Sequence, residues 1–416
     1  MSALITVDDA LRHILGPITV LPAEHVPTPD ALGRVLAGDI VSHNNIPPFL
    51  NSSMDGYAVR AADVAGAGRD HPVRLPVVMD LPAGQVPARA LATGEAARIM
   101  TGAPLPDGAD TVIPVEDTGD RWTSDGAAPL PDTVIIYRSA QPGDFTRAPG
   151  EDIRAGQVVL RAGAVLRPQD IGVLISLGEA YLPVIRQPRV AILSTGDELV
   201  DIGAEPGPGQ IRNSNSYMLA GLVQSYGGIP FRLPVARDTL DDVRRRFREA
   251  LDHQPDLMVS SAGVSVGTRD VVRTVIDELG QVDLWRVNLR PGKPLAYGQV
   301  GGVPFFGLPG NPVSAMVTFE LFVRPALLRM AGKNPNAVAM TTALVGEAMR
   351  SDGRRSYLRV RLVRQGDDWI AYSTGTQSSG ALMSMVLADG LLIVPEGTVD
   401  IPAGTRLQVW LLRDLT

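Results

Sequence analysis

Residues 288–318 place two cations, Arg290 and Lys293, in the turn NLRPGKPLAYG, which Pro and Gly make rigid. A short apolar segment, residues 305–308, then leads into LPGNPVSAMVT. Asn311-Pro312 opens an apolar helix with Ser314 in its first turn, where the backbone N–H groups have no intrahelical partner. A guanidinium, an ammonium and aligned peptide dipoles all favour negative charge, so this combination could hold a phosphate or a small tetrahedral oxyanion. The ordinary alternative is a strand-turn-helix with Asn311 as N-cap and Lys293 in solvent.

A second group of residues could bind a polyphosphate. The run Ser260-Ser261-Ala262-Gly263-Val264-Ser265-Val266-Gly267 follows a strand and precedes a helix, so small side chains would let N–H groups approach a phosphate. It lacks the lysine of a Walker loop and the spacing of a dinucleotide fingerprint, which disfavours a P-loop NTPase or a dinucleotide dehydrogenase. Acids follow three successive strands: Asp197 and Glu198, then Asp238, then Asp270. Beside a phosphate such carboxylates suit Mg²⁺, a hard cation that takes oxygen ligands. Alternatively Asp238 and Asp270 cap helices, and Asp197 and Glu198 are solvated. Asp55, before Gly56, reads equally as a turn residue, and Thr101 as a loop hydroxyl. His13, His25, His43, His71 and His253 are scattered and fit no motif.

Composition restricts the chemistry further. Lys and Arg total 38 against 45 Asp and Glu, a net charge of -7, which argues against a nucleic-acid binder with a broad basic surface. Any anion site must be local. Cysteine is absent, so disulfides, thiolate metal sites and cysteine nucleophiles are excluded. The start, MSALITVDDALRH, carries acids where a signal peptide needs a basic and then an apolar region, and no run reaches the ~18–20 apolar residues of a membrane span. A cytoplasmic protein is expected.

Several elements must position these residues. Residues 6–16 read as a helix with Thr6 as N-cap and Leu11, Ile14 and Leu15 on one face. Residues 48–145 are rich in Gly, Pro and Val, with alternating runs at 72–78, 97–100 and 133–137 that predict a small β domain. Helical spacing of Ile171, Val173, Leu174 and Leu177 makes that domain an insertion in an elongated N-terminal lobe. From 189 to 280, strands at 189–195, 229–236 and 256–263 alternate with helices at 216–227, from 239, and at 270–280, the last ending at Gly280. Leu240, Val243, Phe247, Ala250 and Leu251 form the apolar stripe of the second helix. Alternation implies a mostly parallel sheet, with ligands bound outside the carboxyl ends of its strands. The last ~85 residues read as short strands with turn signals, a small β barrel. A length of 416 residues allows two to four domains, and the four compositional regimes divide the chain into 1–47 plus 146–186, 48–145, 187–331 and 332–416.

The ordered motifs NSSMDGYA (51–58), RIMTGAPLPDGADTVIPVED (98–117), APGEDI (148–153), ILSTGDEL (192–199), GQIRNSNSYML (209–219), SSAGVSVGTRD (260–270), LRPGKPLAYG (289–298), GLPGNPVSA (307–315) and TGTQSSGALMSM (374–385) resemble the MoeA family. These are the molybdopterin molybdenumtransferases, which include the corresponding domain of gephyrin. The resemblance spans nearly the whole chain in motif order. It implies a transferase of molybdenum cofactor biosynthesis: adenylylated molybdopterin and molybdate enter as substrates, Mg²⁺-dependent cleavage releases AMP, and molybdenum ends on the dithiolene. It also implies a cytoplasmic homodimer with a cross-subunit site, acting beside an adenylyltransferase and molybdoenzyme acceptors, with no nucleic acid or membrane partner.

Carried over residue by residue, the resemblance makes Asp55, Thr101, Asp152, Glu198, Asp238, Asp270 and Lys293 catalytic, with Glu198, Asp238 and Asp270 associated with magnesium. Thr195, Gly196 and Asp197 match the nucleotide loop. Ser265, Gly267, Arg290, Pro294, Ser314, Arg354, Arg359, Ser378 and Ser379 match the other substrate-binding positions. Three departures stand out: Arg290 where many relatives have lysine, Ala262 where glycine is commoner, and Thr268 where relatives often carry an acid. Two other readings remain, a molybdopterin adenylyltransferase and a non-catalytic scaffold of the gephyrin type. The long N-terminal region and the C-terminal β domain weigh against the first. Asp238, Asp270 and Lys293 weigh against the second.

Overall fold

The structure, a computed structural model, describes residues 4–120, 122, 129–261 and 271–415. By internal contacts it forms two compact units, residues 1–37, 165–167 and 181–416, and residues 38–164 and 168–180.

The smaller unit is built on a five-stranded sheet in the order Thr111–Pro114, Gly56–Val59, Ala96–Ile99, Val73–Leu81, Thr133–Ile136. Gly56–Val59 runs antiparallel to both its neighbours, and Val73–Leu81 is parallel to Ala96–Ile99. Side chains alternate across a strand, so Tyr57 and Val59 enter one core with Leu75, Ile113 and Val134, while Ala58 enters another with Met79, Ile99 and Val112. The three expected runs are strands. Val73–Leu81 does alternate, but Ala96–Ile99 is buried throughout because both faces of the sheet are covered.

The larger unit begins with the helix Val7–Leu15, where the Thr6 side chain accepts the Asp9 N–H as the sequence predicts. Its buried face is Val7, Ala10 and Ile14, with Leu11 only partly covered. The central sheet has six strands in the order Ile229–Arg232, Arg189–Ser194, Leu257–Ser261, Val303–Leu308, Pro294–Val300, Gly280–Arg286. The first four are parallel and the last two antiparallel. Helices cover both faces. Val190, Ile192, Val259 and Phe306 pack with Leu219, Val223, Val313 and Phe319 on one side. On the other, Ala191, Leu193 and Met258 pack with Val243, Phe247, Ala250, Val275 and Ile276. The predicted stripe is thus buried except at its ends, Leu240 being exposed in the first turn of Leu240–Asp252.

Two strands here were not anticipated. Gly280 does not simply end a helix; the helix closes at Leu279 and Gly280 starts an edge strand. The turn NLRPGKPLAYG likewise runs directly into Pro294–Val300, which a Gly301-Gly302 turn joins to Val303–Leu308.

The C-terminal strands do form a barrel. Arg355–Gln365 pairs with Asp368–Ser373, that with Met340–Val345, that with Arg406–Leu411, that with Gly390–Val394, and this last strand returns to Arg355–Gln365. Leu289–Arg290 adds in parallel to Arg355-Ser356, which fixes the start of the cationic turn to the barrel.

Candidate functional site

The loop after Arg189–Ser194 is held at the carboxyl edge of the sheet. Thr195 bridges to Ala236, and the Gly196 N–H donates to the Ala236 carbonyl at 3.1 Å. Gly196 has φ +142°, and a Cβ there would lie 2.4 Å from Glu198 Oε2, so only glycine lets the Glu198 carboxylate fold back over the loop. The Asp238 N–H donates to Asp197 Oδ1 at 3.4 Å, which joins two of the acid-bearing loops. Glu198 lines a cleft of 410 Å³ with Arg212, Asn213, Ser261, Asn311, Gly380 and Leu382.

Two asparagines frame this cleft that single-residue reasoning did not select, although they lie in the NSNS run. Asn213 caps the helix Ser214–Ser225 by accepting the Ser216 N–H. Asn215 Nδ2 donates to the Gly310 carbonyl at 2.7 Å and so ties that helix to the LPGNP turn. Asn311 stands at the N-cap position of Pro312–Thr318, but its side chain makes no capping bond, contrary to the expected cap. The helix continues through a π segment, Phe319–Val323, into Arg324–Met330.

The cationic turn lies against this helix. Gly292 has φ +108°, and a Cβ there would fall 2.6 Å from Thr318 Cγ2 and 3.6 Å from the Ser314 carbonyl. Lys293 is exposed, Arg290 half-buried and Ser314 buried. Among the described residues the Lys293 and Arg290 side chains make no hydrogen bond.

Arg359 is 1% exposed and lies close enough to Arg290 to feel its charge. Its guanidinium donates to Ser384 Oγ at 3.1 Å and to the Thr376 and Ser378 carbonyls at 3.3 and 3.0 Å. The Ser379 carbonyl in turn accepts the Val313 N–H at 3.1 Å, so this loop crosses the start of the helix. No carboxylate pairs with Arg359 among the described residues. Burial and the neighbouring Arg290 charge push its pKa down to about 10, which still leaves it charged at neutral pH. Arg354 differs. It is engaged by Asp352, at 3.0 Å from Nε, and by the Leu289 carbonyl at 2.9 Å. Burial alone would raise the Asp352 carboxyl, but hydrogen bonds from Arg354 and the charges of Arg354 and Arg290 hold it below the usual carboxylate range. Pro294 begins its strand opposite Arg286.

Thus the structure brings Arg290, Lys293, Ser314, Arg359, Ser378 and Ser379 together, and Thr195, Gly196, Asp197, Glu198 and Asp238 together. Ser265, Gly267 and Asp270, with Ala262 and Thr268, lie outside the described residues. In the smaller unit Asp55 Oδ1 accepts both the Thr101 N–H, at 2.7 Å, and its hydroxyl, at 2.8 Å, so the two act as one polar pair. Asp152 lines a separate cleft there with Asn51, Arg147 and Glu151. Among the described residues no three acids or histidines are grouped closely enough to hold a metal ion by themselves.

Family comparison fits this geometry. The profile described as the MoeA N-terminal region (domain I and II) matches residues 5–178, a probable molybdopterin binding domain matches 191–329, and the MoeA C-terminal region (domain IV) matches 342–412. The chain is 41% identical over 401 residues to molybdopterin molybdenumtransferase 2 of Mycobacterium tuberculosis, covering 94% of this chain and 95% of that one. It belongs to the MoeA family. Molybdopterin molybdenumtransferase of Bacillus subtilis is 33% identical over 412 residues, covering 99% of this chain and 94% of that one. The crystal structure of the molybdopterin biosynthesis MoeA protein from Pyrococcus horikoshii superposes with a TM-score of 0.81 at 34% identity, over 99% of this chain and 100% of that one. These MoeA relatives are transferases, and the present chain is an enzyme of the same family. No helix among its described residues is long and apolar enough to cross a membrane.

Proposed function

We propose that this enzyme inserts molybdenum into adenylylated molybdopterin, with Mg²⁺-dependent release of AMP, as the last step of molybdenum cofactor synthesis. The observation that carries the reading is Arg359, a buried guanidinium without a carboxylate among the described residues and close enough to Arg290 to feel its charge. A buried cation normally has a partner. A dianionic tetrahedral oxyanion such as molybdate would supply it, with the Ser314 region closing the other side.

The separate loop 195–198 would hold the nucleotide. The cleft that Glu198 lines extends to Gly380 and Leu382, which follow Ser378 and Ser379 in the chain, and this supports a substrate whose adenylylated end lies at Glu198 and whose metal end reaches toward the cations. Oxygen donors at Glu198 and Asp238 suit Mg²⁺, which takes one or two carboxylates and completes its shell with water and substrate phosphate. That ion would neutralise charge developing on the pyrophosphate as AMP leaves. The remaining work is positional: Gly196 and Asp197 shape the loop, and Arg359 orders residues 376–379.

Asp55 and Thr101 are proposed as contributions from the second subunit of a cytoplasmic homodimer, Asp152 as a further acid near the cleft, and the four-domain division as the architecture. The decisive experiment incubates the protein with adenylylated molybdopterin, Mg²⁺ and molybdate. AMP release that needs Mg²⁺ and rises with molybdate is expected. Adenylylation of free molybdopterin from ATP would instead make the protein an adenylyltransferase, a reading against which the near full-length coverage of the relatives weighs. No activity in either assay would favour the scaffold.

A further inference from the structure

A second group of cations lies where three chain segments of the larger unit meet: residues 32–35, residues 185–187, which lead into the central sheet, and residues 331–333, which leave its last helix. They line an open cleft of 170 Å³, which Gln224, Ser225 and Gly227 at the end of the helix Ser214–Ser225 also line. Arg34 and Lys333 line it with no acid among the lining residues. It shares no lining residue with the cleft at Glu198.

Arg34 is fixed in place. Its Nη2 bonds Glu24 and donates to the Ile185 carbonyl at 2.8 Å, while Nε and Nη1 make no hydrogen bond among the described residues. Lys333 is half-buried, and its Nζ would lie 3.4 Å from a Cβ placed on Gly227. An amine at that place could serve the carbonyls ending the helix, since a helix C-terminus favours a cation. However, the Gly227 carbonyl is already taken by Gln187 Nε2 at 2.9 Å, and the ammonium donates to none of the others. Three strong donors on Lys333 and the free edge of Arg34 therefore border a cleft whose lining holds no carboxylate, the Glu24 that pairs with Arg34 lying outside that lining. Burial and the Arg34 charge hold the Lys333 amine below the usual lysine range, as expected of a cation that lacks its anion.

We propose that the cleft between Arg34 and Lys333 binds one free tetrahedral oxyanion of the phosphate or sulfate type. The volume of 170 Å³ suits a single small ion. Bound there, the ion would join the segment entering the central sheet to the one leaving it.

Hydrogen exchange measured with and without inorganic phosphate, ionic strength being balanced with chloride, tests this. Phosphate is expected to slow exchange in residues 182–187, 224–228 and 329–334 of the wild-type protein. Lys333→Met should weaken that effect about tenfold or more in phosphate concentration, the size of a lost charged hydrogen bond. Lys293→Ala should leave it unchanged, which separates this site from any phosphate taken by the molybdate pocket. Absence of protection in the wild-type protein, or undiminished protection in Lys333→Met, would overturn the proposal.

Discussion

Lys293 and Arg359 are both cations of one site, but burial gives them different tasks. Lys293 is exposed and donates to nothing among the described residues, so its removal leaves no unpaired group behind in the fold. Lys293→Ala is expected to raise the molybdate concentration for half-maximal turnover about ten- to a hundredfold, as for a lost hydrogen bond to a charged group, with the melting temperature unchanged. Nucleotide binding should stay nearly constant because the 195–198 loop is separate. Parallel molybdate and nucleotide titrations check it; collapse of nucleotide binding alone would make Lys293 a phosphate clamp. The composition and spacing of RPGKP made Arg290 and Lys293 legible in the sequence, because two cations in a rigid turn are a local pattern. Arg359 was reachable only through the family resemblance. It sits in a strand reading SYLRVRLVR, where nothing distinguishes a buried arginine from its solvated neighbours until the barrel closes around it.

Among the elements, the cationic turn depends on Gly292, where the backbone has φ +108° and a side chain would strike Thr318. Gly292→Ala is therefore expected to cost about 1–3 kcal/mol in unfolding free energy and to weaken molybdate use as well, since the turn must lift off the helix. Chemical unfolding and steady-state turnover measure the two effects. Loss of stability with unchanged molybdate dependence would show that the turn does not position the cations. The same stretch explains what was misread. Gly280 and Gly298 face each other's strands closely, a Cβ on Gly280 falling 1.9 Å from the Gln299 carbonyl and one on Gly298 2.0 Å from the Gln281 carbonyl. Glycines that permit such an approach look, in sequence, like helix stops and turns. The edge strand Gly280–Arg286 and its neighbour Pro294–Val300 were hidden for that reason, whereas the strands at 189–194 and 257–261 were plain from their apolar runs.

At the scale of the molecule, the parallel sheet was legible because strand and helix periods alternate along the chain. Closure of the C-terminal barrel rests on pairing between residues 355–365 and 390–394, which no local pattern specifies. Nor does sequence show the buried pair that ties the last helix of the sheet layer to the barrel. Glu320 and Arg324 are 3% and 4% exposed at 3.4 Å. The Tyr226 hydroxyl donates to Glu320, and Arg324 donates to the Ala337 carbonyl at 2.7 Å while its guanidinium lies 4.9 Å from the centre of the Trp410 ring. Glu320→Leu would leave Arg324 buried without its charge partner, so a loss of about 3–5 kcal/mol is expected. Glu320→Leu combined with Arg324→Met should recover most of it, because two apolar side chains restore packing without an orphan charge. Burial raises the Glu320 pKa, which fixes the sign of its pH dependence. Its contribution is fully present below the unfolded-state range of a glutamate and is lost as pH rises through the folded value, so Glu320→Gln should flatten that decline. Urea unfolding of the wild-type protein and the three variants across pH decides the matter: if the double variant is as unstable as Glu320→Leu, the cost lies in packing around Tyr226 and not in the unpaired arginine.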